Sequence, residues 1–294
     1  MPQSIFLALE IALVFAFFAS SLQAALQRAF RHRPGLLWLA PAALTALFTA
    51  ASWVAGAASL PLSVAMLAYT AAPTLCAYIA GPTPGKKPGA LDFLAILLLW
   101  LPLEFAAGAS LVPRPAQGFL HSVAYGVAIL LGLKVFLCFR GFSGMKYNPP
   151  RRWSDFRLSL AGFLLTAPVL VAVGISIGFI PPPHLPTAAA GRMGAAVGLI
   201  FAGTALPEEI LFRSLIQNLI MQRWGANART LFAAALIFGA AHLDNGPQPL
   251  PNWRYMIVAT IAGIAYGKVF QKSATVVSSA LLHTLVDWTK HFVF

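Results

Sequence analysis

The sequence predicts an all-α fold, a polytopic transmembrane helical bundle of about ten helices, and three observations predict it. Of 294 residues, 59% are hydrophobic and only 10% are charged, whereas a soluble domain carries about a quarter charged residues. Apolar runs of spanning length, about 20 residues, recur from one end of the chain to the other. Basic residues gather in alternate connections between those runs, the signature of membrane topology. Mean hydropathy is +0.77.

Taken in order, the first apolar run is Ser4 to Leu26, followed by Leu36 to Ala57, Leu60 to Ile79, Leu91 to Leu111 and Phe119 to Phe139. Then come Leu158 to Ile180, Met193 to Ile220, Thr230 to His242, Tyr255 to Phe270 and Ala274 to Phe294. The eighth is short for a full crossing. Breakers fall where loops are needed, as in "GPTPGKKPG", "YNPPRRW", "PPPHLP" and "DNGPQPLPN". The N-terminus lacks a basic n-region and a small-residue cleavage site, so the first run reads as a retained span.

Arg28, Arg31 and Arg33 follow the first run, Lys86 and Lys87 the third, and Arg140, Lys146, Arg151 and Arg152 the fifth. Arg223 and Arg229 follow the seventh, and Lys268 and Lys272 border the ninth. The other connections hold little beyond Arg114, Arg192 and Arg254. The richer set is expected on the cytoplasmic side, with both termini outside and an even number of spans. A net charge of +12 spread in this way argues against nucleic acid. Cys76 and Cys138 lie in apolar runs, without disulfide or metal spacing.

The polar residues concentrate late in the chain. Two carboxylates and a guanidinium, Glu208, Glu209 and Arg213, interrupt the seventh run, where hydrocarbon makes them costly unless they line a cavity or do chemistry. Glu209, Arg213 and Gln217 are spaced four apart and share a face, while Glu208 is turned about 100° away. This spacing gives Glu209 the ion pair and leaves Glu208 for chemistry. Pro207 is expected to kink the helix just before Glu208. The eighth run supplies Phe238 and His242, and the tenth His283 and Asp287, each pair four apart. Counted from the turn that joins the seventh and eighth runs, Glu208 and His242 lie at a similar level, roughly 20 Å up. Taken singly, an intramembrane histidine is a hydrogen-bond partner between helices and a Glu–Arg pair is architecture. Together, Glu208, His242, His283 and Asp287 hold a general base, a general acid and an orienting group. Glu10, Glu104 and Lys134 read as structural pairs or cavity linings, and the small residues of "GIAYG" as close helix packing.

These motifs, E-E-x-x-x-R, F-x-x-x-H and H-x-x-x-N/D in this order, resemble the CAAX prenyl endopeptidase and bacteriocin-processing intramembrane proteases, the type II CAAX endopeptidase family. The "GIAYGKVF…SSALLHTLVDW" stretch is similar as well, and the resemblance covers Gly198 to Trp288. It implies a division into supporting helices, 1–190, and a catalytic core, 191–294. It also implies an endopeptidase that hydrolyses a membrane-associated or exported peptide with a glutamate-activated water. Residue by residue, Glu208 would be the base and His242 would position the water. His283 and Asp287 would face the oxyanion or orient each other, while Glu209, Arg213 and Phe238 would support the site. An ionised Asp287 cannot donate to an oxyanion as asparagine can.

No cofactor is implied. Zinc is the rival within the enzyme class, since two histidines and the carboxylates offer ligands, although no HExxH occurs. Outside that class stand a non-catalytic immunity or scaffold protein and a small transporter. The partners expected are a peptide or protein substrate and the lipid bilayer, and the location is a bacterial inner membrane.

Overall fold

The computed structural model describes residues 2–82, 84–104, 117–246 and 249–294. Arg114 and the end of the fourth run lie outside the described residues, as does part of the "DNGPQPLPN" connection. The described residues form 11 helices and no strand. They divide into two compact units, Met1–Met145 and Lys146–Phe294.

The first unit holds α1 (Pro2–Ala16), α2 (Ser20–His32), α3 (Leu39–Val54), α4 (Leu60–Ala80), α5 (Ala90–Glu104) and α6 (Gln117–Gly132). A 3-10 turn, Pro34–Trp38, leads into α3, and α6 continues as a π-helical stretch, Leu133–Phe139. The first apolar run is not one straight span. It breaks between α1 and α2, which meet at 82°. The amide of Gln23 donates to the carbonyl of Phe17 at 2.6 Å across the bend, and Gln27 reaches Leu137 O at 3.0 Å. These polar side chains turn α2 off the line of α1. A buried ion pair joins α5 to the end of α6: Arg140 Nε to Asp92 Oδ1 is 2.7 Å and Nη2 to Oδ2 is 3.0 Å. The same guanidinium donates to the carbonyls of Ala80 and Gly81 at the end of α4. Glu10 is buried against α6, where a methyl on Gly126 would stand 2.5 Å from its carboxylate.

The second unit holds α7 (Trp153–Ser176), α8 (Ala190–Trp224), α9 (Ala228–Ala240), α10 (Trp253–Lys272) and α11 (Val277–Val293). Glycines set its closest packing. A methyl on Gly263 of α10 would lie 3.2 Å from Ala235 Cα, and one on Gly239 of α9 would strike Met256 O and Thr260. One on Gly267 would lie 2.5 Å from Leu231 and 2.6 Å from Gln217 Oε1 of α8. Gly162 of α7 admits Val269 of α10 and Leu282 of α11 in the same way.

The short turn between α10 and α11 is held from the segment before α7. The Lys146 ammonium donates to the carbonyls of Phe270 (2.5 Å), Gln271 (3.1 Å) and Ser273 (2.8 Å), groups left open where a helix ends. Val276 N–H donates to Lys146 O at 2.9 Å, and Ser159 Oγ to Ser278 O at 2.8 Å. The start of α11 is thereby fixed in register, two turns before His283.

Among the described residues, five helices are long and apolar enough to cross a membrane, and the bent α1–α2 pair would make a sixth. The fourth of the ten apolar runs is described only as far as Glu104. With 13 residues, α9 rises only about 20 Å, short of a hydrocarbon core of about 30 Å. With 17 residues, α11 is also short. The chain is a multi-pass integral membrane protein.

Candidate active site

Glu208 and Glu209 sit on α8 between two π-helical stretches, Phe201–Ala205 and Ile210–Gln217. Pro207 has no N–H to return to the preceding turn. Ahead of it the backbone closes wider turns, Leu206 N–H donating to Phe201 O. The helix thus widens at this proline and continues as one element to Trp224. Such π-helical insertions rotate side chains relative to a regular helix and are frequent at functional sites.

The two neighbouring carboxylates have different surroundings. Glu209 is fully buried: its Oε2 accepts from Arg213 Nε at 3.1 Å, and its Oε1 lies 3.3 Å from His283 Nδ1. Arg213 is equally sealed, with its guanidinium 4.8 Å from the Phe238 ring and 5.8 Å from Tyr266. Its Nη1 reaches Gln217 Oε1 at 3.5 Å, and Gln217 in turn donates to Gly267 O at 3.1 Å. Glu208 keeps 22% of its side chain exposed, with Oε2 3.9 Å from His283 Nε2.

His283 is therefore the hub. Its Nδ1 faces Glu209, and its Nε2 faces both Asp287, at 3.4 Å, and Glu208. The ring stacks on Tyr266 at 4.6 Å and 24°, and meets Phe238 edge-on at 5.8 Å. Three carboxylates from α8 and α11 thus converge on one imidazole, while aromatic rings from α9 and α10 close its other sides.

His242 lies in the turn after α9. Its Nδ1 is 2.8 Å from Phe238 O, and since a carbonyl only accepts, Nδ1 carries the proton and Nε2 is left as an acceptor. The ring packs against Phe238 at 4.8 Å and Tyr255 at 4.5 Å. Among the described residues it makes no hydrogen bond or ion pair with a carboxylate side chain, so it joins the cluster through aromatic rings rather than a direct polar contact.

Next to the cluster lies a cavity of about 690 Å³, whose walls include Phe179, Leu199, Ile200, Thr204, Tyr255, Asp287 and Lys290. Asp287, 31% exposed, is the one member of the predicted quartet on that wall. Among the described residues no group of three or more His, Cys, Asp or Glu side chains is arranged to hold a metal ion.

Sequence reasoning passed over Tyr255, Tyr266 and Lys290. The two tyrosines are 11 residues apart, three helical turns, and so share the face of α10 that bears on both histidines. That periodicity was readable, but an aromatic in an apolar helix reads as core. Lys290 stands one turn beyond Asp287, a spacing equally available in the sequence.

The helices and this cluster define a class: a multi-pass membrane protein with a buried cluster of ionisable side chains beside a largely apolar cavity. Residues 191–289 match a family model described as Type II CAAX prenyl endopeptidase Rce1-like, and the match covers the same helices that carry the motif resemblance. That family is one of hydrolases that cut peptide bonds. No curated protein and no solved structure matches the chain.

Proposed function

We propose that the chain is an intramembrane endopeptidase in which Glu208 activates water, with residues 191–294 as its catalytic core. The convergence of Glu208, Glu209 and Asp287 on His283 carries this reading. A purely architectural ion pair is satisfied by Glu209 and Arg213 alone, and it gives no reason for two further, part-exposed carboxylates at the same ring.

The division of roles follows from exposure. Glu209 and Arg213, sealed and paired, hold the centre. Glu208, part-exposed, takes a proton from water as the water oxygen bonds to the substrate carbonyl carbon. His242 Nε2 accepts the second hydrogen and orients that water. His283, with a carboxylate facing each ring nitrogen, is placed as a donor at both, and its Nε2–H serves the developing oxyanion. Glu209, facing Nδ1, holds His283 in that orientation, and Asp287, an acceptor beside Nε2, shares that N–H with the oxyanion instead of donating to it itself. The C–N bond then breaks as Glu208 returns its proton to the leaving amine. No metal is needed for these steps.

The substrate is a membrane-associated or exported peptide, whose apolar part fits the cavity walls, and the expected location is a bacterial inner membrane. The test compares membrane and secreted peptides from cells making the native protein or Glu208→Gln at equal levels. Peptides that vanish with Glu208→Gln support hydrolysis. Unaltered biological activity in that variant supports a binding protein instead.

A further inference from the structure

The 82° bend after α1 takes α2 off the line of a membrane span. Its side chains divide between two faces. Leu22, Leu26 and Phe30, four apart, form an apolar stripe, while Arg28, Arg31 and His32 lie on the opposite side. Phe30 is buried and the two leucines half-buried, whereas Arg28, Arg31, His32 and the C-cap residue Arg33 are exposed. The helix is seated at one end of the first unit. Gln27 donates to Leu137 O at 3.0 Å and the Phe30 ring meets Phe139 edge-on at 5.8 Å, both in the π-helical stretch that ends α6. Phe139 stacks on Tyr78 at 6.5 Å, and Tyr78 lies 6.0 Å from Trp38. Tyr78 and Trp38 are exposed. Exposed tyrosine and tryptophan at span ends mark the headgroup level of a bilayer, where one end of the ring is apolar and the other wet.

We propose that α2 lies flat in the cytoplasmic interface of the membrane and that Arg28, Arg31 and Arg33 bind the phosphate of anionic phospholipid headgroups. These cations have no counter-charge in the protein. The first unit holds three carboxylates, Glu10, Asp92 and Glu104. Asp92 is taken by Arg140, and Glu10 is buried against α6. Among the described residues no carboxylate forms an ion pair with Arg28, Arg31 or Arg33. Arg28 and Arg31 are three apart, about 4.5 Å along the axis, so two guanidinium forks reach one phosphate group. Their aliphatic stems lie along the interface while the charged heads stay wet. The connection after α4 folds over the same end, where a methyl on Gly141 would stand 3.5 Å from Pro84 Cβ, and it adds the exposed Lys86 and Lys87. Charge bias assigns this end to the cytoplasmic side, where anionic lipids give the membrane a negative surface and attract basic amphipathic helices. A basic face that met only cytosol would need neither the apolar stripe nor the aromatic belt at its level.

The test measures lipid binding to full-length protein by native mass spectrometry, with phosphatidylglycerol and phosphatidylcholine of identical acyl chains added in a neutral detergent. Each arginine near an anionic surface contributes about fivefold in affinity, so the native protein is expected to hold phosphatidylglycerol about hundredfold more tightly than phosphatidylcholine. Replacing the three together, Arg28→Gln, Arg31→Gln and Arg33→Gln, removes most of that preference and leaves phosphatidylcholine binding unchanged. Three lysines at the same positions keep it. Neutralising Arg223, Arg229 and Lys268, exposed cations of the second unit, also leaves it in place. Added salt weakens phosphatidylglycerol binding by the native protein more than by the glutamine variant. Equal native affinities for the two lipids overturn the inference, as does a preference that survives the three glutamines or that the second-unit variant abolishes to the same extent. Displacement of phosphatidylglycerol by an equal concentration of glycerol 3-phosphate assigns the arginines to a free phosphate and overturns the membrane assignment.

Discussion

Replacing Arg213 with methionine should be among the most damaging single changes in the second unit, and the structure shows why. Both Arg213 and its partner Glu209 are completely buried, 3.1 Å apart. Removing one partner of a buried pair strands the other charge, at a cost of about 3–5 kcal/mol. His283 Nδ1, 3.3 Å from Glu209 Oε1, remains to offset part of that charge, which favours the lower end. Against this, the guanidinium also packs over Phe238 at 4.8 Å, a desolvated contact worth about 1–2 kcal/mol. The net expectation for Arg213→Met is therefore about 4 kcal/mol. Glu209→Gln alone strands the guanidinium, but Gln217 and the ring faces still solvate it, for about 2–3 kcal/mol. The double variant has no charge left to strand. Its cost should fall short of the sum of the singles by about 2 kcal/mol or more. The assay is reversible unfolding in mixed micelles, followed by tryptophan fluorescence, for the native protein and the three variants. Costs that simply add, to within about 0.5 kcal/mol, would refute the claim that these two groups form one buried unit.

Gly267→Ala should destabilise by about 1–3 kcal/mol through overpacking. The added methyl meets Leu231 and Gln217 at 2.5 and 2.6 Å. Because it displaces α10 next to Tyr266, peptide cleavage should fall as well, which unfolding and activity measurements on the same sample will show together. Lys146→Met removes an ammonium from three carbonyls at the end of α10 and should cost about 1.5–3 kcal/mol, read as lowered thermal stability. Extended treatment with a strong chelator, checked by metal analysis of the purified protein, should leave cleavage unchanged. Loss of activity restored by zinc would instead assign the chemistry to a metal.

Much of the second unit is legible from local spacing. Residues four apart on a helix share a face, so the contacts of Glu209 with Arg213 and of His283 with Asp287 follow from the sequence alone. The loop positions follow from proline and glycine, and the close approach of α9 and α10 from Gly263 and Gly267. What spacing does not give is the meeting of separate helices. That Glu209 as well as Glu208 faces His283 depends on the π-helical stretches around Pro207, which rotate α8 by amounts a regular 3.6-residue repeat does not contain. The Lys146 clamp spans more than 120 residues of sequence and has no local signature. The break in the first run was visible in part: Gln23, Gln27, Arg28 and Arg31 make α2 amphipathic, while α1 is almost wholly apolar. Hydropathy alone ran the two together because Phe17 to Ala19 contain neither proline nor glycine.

The measurement that bears most directly on the account is single-turnover cleavage of a lipid-anchored peptide by purified native protein and Glu208→Gln, each shown to be folded and chelator-treated. The account predicts a loss of about 10²–10⁴ in the rate of the chemical step, as for removal of a general base. Stability should stay close to native, because Glu208 is part-exposed and stands outside the sealed Glu209–Arg213 pair. Cleavage by Glu208→Gln at the native rate would contradict it.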